Sequence, residues 1–71
     1  MTSQIVTHHR YLSSELYSIS DRHYFGFNGV LFIVPKEVLG KILVEIKDMN
    51  PLQCFDYLAE QANQRFKKVS I

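Results

Sequence analysis

The dipeptide Asn28-Gly29 constrains this chain more than any other feature. Before it stands His23-Tyr24-Phe25-Gly26-Phe27 and after it Val30-Leu31-Phe32-Ile33-Val34, both rich in aromatic and β-branched residues. A two-residue hairpin turn of type I′ needs positive φ at both central positions, which Asn tolerates and Gly adopts freely. Asn-Gly between two such runs therefore predicts an antiparallel hairpin. The second run is apolar at every position, so neither of its faces suits water. Such a strand is expected at the centre of a sheet, or covered on both sides by helices or by another subunit. Gly26 marks either a bulge or a place where another backbone approaches closely.

The rest of the chain reads as helices around this hairpin. In residues 11–20, Leu12, Leu16 and Ile19 recur at spacings of four and three, which predicts a short helix, with Thr7 or Ser13 as its N-cap. The same residues also admit an alternating strand. Residues 3–6 form a short strand leading in. Pro35 ends the apolar run and suits position N1 of a helix over residues 36–49. There Leu39, Ile42, Leu43, Ile46 and Met49 make one stripe, which Val38 and Val44 widen beyond what a one-sided surface helix needs. Asn50-Pro51 supplies an N-cap and N1 for a last helix running to about residue 68. Leu52, Phe55, Leu58, Ala59, Ala62 and Phe66 share one of its faces, and Arg65, Lys67 and Lys68 complement the dipole at its end. The expected fold class is α+β: a short N-terminal strand and helix, an antiparallel β-hairpin, then two amphipathic helices.

Seventy-one residues allow one domain, here 1–71. A core of that size supplies only about 3–5 kcal/mol. The single cysteine, Cys54, excludes an internal disulfide, while 46% of the residues are hydrophobic. Self-association is the expected extra source of stability. The reading is a homodimer with Leu39, Ile42, Leu43 and Ile46 at its interface. A net charge of +1 does not by itself point to nucleic acid. The longest apolar run, residues 30–35, is far too short to span a membrane. Met-Thr-Ser-Gln lacks the charged start of a secretion signal, so a cytoplasmic protein is expected.

Candidate chemistry is sparse. His8 and His9 are adjacent, and neighbours in a regular strand or helix point to different faces, which disfavours a shared metal. Cys54 lies in an apolar stretch and reads as a small buried hydrophobe rather than a nucleophile. No Gly-rich phosphate loop is present. The expectation is a non-enzyme with no cofactor and no metal, which works by binding. His8, His9 and Arg10 form a polar cluster just before the first expected helix, where helix N–H groups and cations would meet phosphates. Phe55, Tyr57, Leu58 and Phe66 would either cover a protein partner or pack on the chain's own hairpin.

The order strand, helix, hairpin, helix and amphipathic tail resembles the Phd/YefM family of antitoxins. Thr7-His8-His9-Arg10-Tyr11-Leu12-Ser13 is similar to that family's Thr/Ser-x-x-x-x-Leu-Ser segment, and Pro35-Lys36-Glu37 to its Pro/Ser-x-Glu helix start. The resemblance implies a dimerising, DNA-binding part over residues 1–49 and a partner-binding helix over residues 50–71. It implies a transcriptional repressor that contacts operator DNA through His8, His9, Arg10 and Arg22. It also implies neutralisation of a protein toxin through Phe55, Tyr57, Leu58 and Phe66. A ribbon-helix-helix repressor ranks second, because a DNA-reading ribbon exposes alternate polar side chains and residues 30–34 offer none. From another class comes a small protein-binding inhibitor or adaptor of a host enzyme, encoded by a mobile element, with no DNA binding.

Overall fold

The computed structural model describes residues 4–69. Their first half is a meander of four antiparallel strands: β1 (Ile5–Tyr11), β2 (Ser14–Ile19), β3 (Arg22–Phe27) and β4 (Val30–Ile33). Two-residue loops join them, since Tyr11 pairs with Ser14, Ile19 with Arg22 and Phe27 with Val30. The Asn28-Gly29 loop has positive φ at both positions, as a type I′ turn requires. In the other two loops only the first residue, Leu12 or Ser20, has positive φ. That is the sign pattern of type II′, a turn that normally takes glycine there.

Helices α1 (Lys36–Ile46) and α2 (Pro51–Gln64) follow, and β5 (Lys67–Lys68) returns to pair with β4, giving the sheet order β1-β2-β3-β4-β5. Both helices lie on one side of the sheet, α1 over β3 and α2 over β1. Pro35 is the N-cap of α1 rather than its N1 residue, and its carbonyl accepts from the N–H groups of Val38 and Leu39. Asn50 caps α2 with Pro51 behind it. A reciprocal pair of bonds links Asn50 and Gln53, so both orphan donors of that turn are satisfied.

The expected helix over residues 11–20 is strand β2. Its apolar spacing fits a helix, but burial follows period two: Ser14, Leu16 and Ser18 are buried while Glu15, Tyr17 and Ile19 are half-buried. A helix here would leave the outer edge of β3 unpaired, whereas a strand satisfies those backbone groups. The leading strand is also longer than expected and reaches Tyr11; Ser3 lies outside the described residues. The last helix stops at Gln64 rather than near residue 68. Phe66 turns inward onto Phe25, with ring centroids 5.8 Å apart, and Lys67 and Lys68 then pair with Ile33 and Phe32.

The core joins Leu16, Phe25 and Val34 of the sheet side to Leu39, Ile42, Ile46, Cys54, Leu58, Ala62 and Phe66. This bears on two expectations. Leu39, Ile42 and Ile46 are spent inside their own chain, with Leu43 packed against the same cluster, and do not form a stripe open to a second subunit. Leu58 and Phe66 are likewise core residues, and Phe55 packs on Tyr11 and Phe27.

Leu58→Ala should cost about 3 kcal/mol, a full-sized cavity in so small a core, measured by urea denaturation. Leu12→Gly should act in the opposite direction. It relieves a left-handed conformation that costs an L-residue roughly 1–2 kcal/mol, and should raise the denaturation midpoint.

Candidate nucleic-acid interface

Strand register sorts every side chain of the sheet. On the helix side lie Val6, His9 and Tyr11 of β1, the serines and Leu16 of β2, and His23, Phe25 and Phe27 of β3. On the other side lie Ile5, Thr7 and Arg10, then Glu15, Tyr17 and Ile19, then Arg22, Tyr24 and Gly26, then Leu31 and Ile33, with Lys67 at the edge. No described element of the chain covers this second face.

At its centre Tyr17 and Tyr24 are cross-strand partners with their rings stacked, centroids 5.5 Å apart and planes 29° from parallel. Burial first, then Glu15 and Tyr24, push the Tyr17 phenol up, which keeps the ring neutral. Thr7 donates its hydroxyl to Oε2 of Glu15 at 3.0 Å and so orients that carboxylate. Arg10, Arg22 and Lys67 are exposed around the aromatic pair. A groove of about 450 Å³ runs over Gly26, between Glu15 and Tyr17 on one side and Leu31 on the other, and Leu12 stands at its end.

The four residues expected at a DNA contact are thus divided. Arg10 and Arg22 share the open face. His8 and His9 do not, because the register shifts between Thr7 and His9. A bulge opposes two residues to one and breaks strict alternation, and both histidines line a cleft beneath the sheet with Leu43, Lys47, Met49 and Cys54. No helix N-terminus lies behind this cluster, since the segment after it is β2. His8 Nε2 is 2.8 Å from the Ser18 hydroxyl, which is 2.6 Å from Nδ1 of His23, so one serine links the two rings. His9 Nε2 is buried without a hydrogen-bond partner. Among the described residues no group of three or more potential ligands could hold a metal ion. Cys54 is buried, its S–H faces the Ile46 and Met49 carbonyls, and burial pushes its thiol up, which leaves it unreactive. Tyr17 and Tyr24, the centre of the open face, were not singled out by sequence reasoning. Their signal is the alternation Glu15, Tyr17, Ile19 against Ser14, Leu16, Ser18.

No protein-family model, curated protein or solved structure matches this chain. No helix among the described residues is long and apolar enough to cross a membrane.

Burial lowers His9, and burial followed by repulsion from His23 lowers His8, relative to an ordinary histidine. The unfolded chain therefore binds more protons near their unfolded values. This part of the stability is fully present above about pH 6.5 and is lost as pH falls through the lower folded values. The urea midpoint should fall between pH 7.5 and 5.5, and His9→Phe should flatten that fall.

Proposed function

We propose that this chain is a non-catalytic, cytoplasmic module that binds single-stranded nucleic acid on the open face of its sheet. The observation that carries this reading is the stacked Tyr17–Tyr24 pair at the centre of that face, with Arg10, Arg22 and Lys67 around it. Unstacked bases gain about 1–3 kcal/mol each by stacking on aromatic side chains, and cations beside them meet the phosphates. A flat sheet presents rings to splayed bases but has no shape that enters a duplex groove, so a single strand suits it better than operator DNA.

Of the contacts that the antitoxin resemblance implies, the one with nucleic acid suits this face. The helix that the resemblance places after Arg10 is strand β2, and two of its toxin-binding residues, Leu58 and Phe66, are core. A second reading, a small inhibitor or adaptor docking a protein on the same face, is favoured by Ile5 and Ile33, 63% and 42% exposed there.

Fluorescence anisotropy with labelled ten-nucleotide single strands at low salt separates the two. Binding should weaken with a slope of about −2 in log affinity against log salt if three phosphates are neutralised. Tyr17→Ala should lose roughly tenfold in affinity, and Tyr17→Phe, which keeps the ring, should stay near wild type. A wild-type chain that binds no single strand even at low salt overturns the proposal and leaves the protein-docking reading.

A further inference from the structure

Gly26 is a glycine that the fold itself does not require. It sits in the middle of β3, between Phe25 and Phe27, in a strand position where a side chain would ordinarily pack on its neighbours. Positive φ is confined to Leu12, Ser20, Asn28 and Gly29 among the described residues, so no backbone strain selects glycine at this position. A Cβ built on Gly26 would meet nothing within 4 Å. No steric conflict within the chain excludes a side chain either. What the missing side chain does produce is the floor of the groove on the open face, between its cross-strand partners Glu15 and Leu31. The groove, of about 450 Å³, is shallow and open to solvent.

The walls of this groove differ in chemistry. Tyr17 and Leu31 offer an aromatic ring and an apolar side chain, which suit the face and edge of a planar heterocycle. Glu15 offers a carboxylate oriented by the Thr7 hydroxyl, and an ionised carboxylate only accepts hydrogen bonds. Arg10, the cross-strand partner of Glu15, places a cation at the outer rim. A hydrophobic peptide side chain would leave the Glu15 carboxylate facing an apolar group. A nucleobase with an exocyclic amino group satisfies it, while its flanking phosphate meets Arg10.

We infer that the groove over Gly26 is a base-reading subsite, in which one unstacked base lies on the β3 backbone and donates its exocyclic amino group to Glu15. Cytosine, adenine and guanine carry such a group, whereas thymine and uracil present carbonyl oxygens instead and have only the ring N3–H to donate. The inference rests on the sheet face being a single-strand binding surface, and assigns that surface a preference for amino-bearing bases, cytosine among them, over thymine or uracil.

The experiment compares ten-nucleotide oligo-dC and oligo-dT by anisotropy at pH 7.5, with wild type, Gly26→Val, Gly26→Ala, Glu15→Gln and Tyr17→Ala, each checked for folding by circular dichroism melting. Wild type should prefer oligo-dC by about tenfold, the low end of what a good base contact discriminates. Gly26→Val should lose about tenfold on oligo-dC without a lower melting temperature, and Gly26→Ala should fall between it and wild type. Glu15→Gln, whose amide both donates and accepts, should bind both strands with the preference abolished. If Tyr17→Ala weakens binding while both Gly26 variants and Glu15→Gln behave as wild type, the face binds nucleic acid and the groove inference is overturned alone. If wild type binds neither strand, the functional reading falls and the groove inference falls with it. Should Gly26→Val fail to melt cooperatively, the Gly26→Ala and Glu15→Gln arms decide the matter by the same criteria.

Discussion

Leu16 lies opposite Phe25, and both are fully removed from solvent. This pair fixes the side of the sheet that every other residue of β2 and β3 takes. A strand has period two, so a slip of β3 by one residue against β2 would move Tyr24 under the helices and send Phe25 to the surface. The pairing is reinforced on the buried side by the ring contacts of Phe25 with Phe32 and Phe66. The open face and the core are two consequences of one choice of register.

Among the described residues, helices cover one face of the sheet. Strands lie about 4.8 Å apart, so five of them span roughly 20 Å, and helices pack at about 8–10 Å. The two helices available are just enough for one side. Both are held to that side by the return of the chain to β4, where β5 pairs with Ile33 and Phe32 and the Val69 N–H reaches the Leu31 carbonyl. Residues 30–34, apolar on both faces, suit a strand at the centre of a sheet or one covered on both sides, and β4 lies between β3 and β5. The structure places helices on one side and leaves Leu31 and Ile33 on the other.

What could be read from the residues depended on whether a local signal had a unique cause. Asn28-Gly29 identifies its turn because few other dipeptides accept two positive φ values. Leu12-Ser13 and Ser20-Asp21 form equally tight loops, yet neither Leu nor Ser is a residue that such a turn selects, so residues 11–20 by themselves leave helix and alternating strand undecided. Asn50-Pro51 was legible for the same reason as Asn-Gly: an N-cap side chain and a residue without an N–H fit one place in a helix. The end of α2 was not, because Phe66 continues the apolar stripe of a helix and its inward turn is decided by Phe25, which is distant in sequence. Arg10 is legible as part of a polar cluster, whereas Arg22 enters only through the antitoxin resemblance. The position of His8 and His9 was missed because a bulge, which no residue type announces, cancels the alternation that would have separated them.

The two faces of the sheet carry an inverted polarity at the end nearest Ile5 and Ile19. Beneath the sheet there, Ser18 links the His8 and His23 rings, and farther along β1 the Nε2 of His9 is buried without a partner. Above it, toward solvent, the chain places Ile5, Ile19, Tyr17 and Tyr24. Stability alone favours the reverse, since apolar side chains gain by burial and an unpaired buried polar atom costs. A small domain with little stability to spare tolerates such an arrangement most readily when the outward residues have a contact to make. The open glycine at position 26 fits the same pattern: a side chain there would cover exposed sheet without meeting any resistance, and its absence leaves the backbone of β3 accessible beside the two tyrosines.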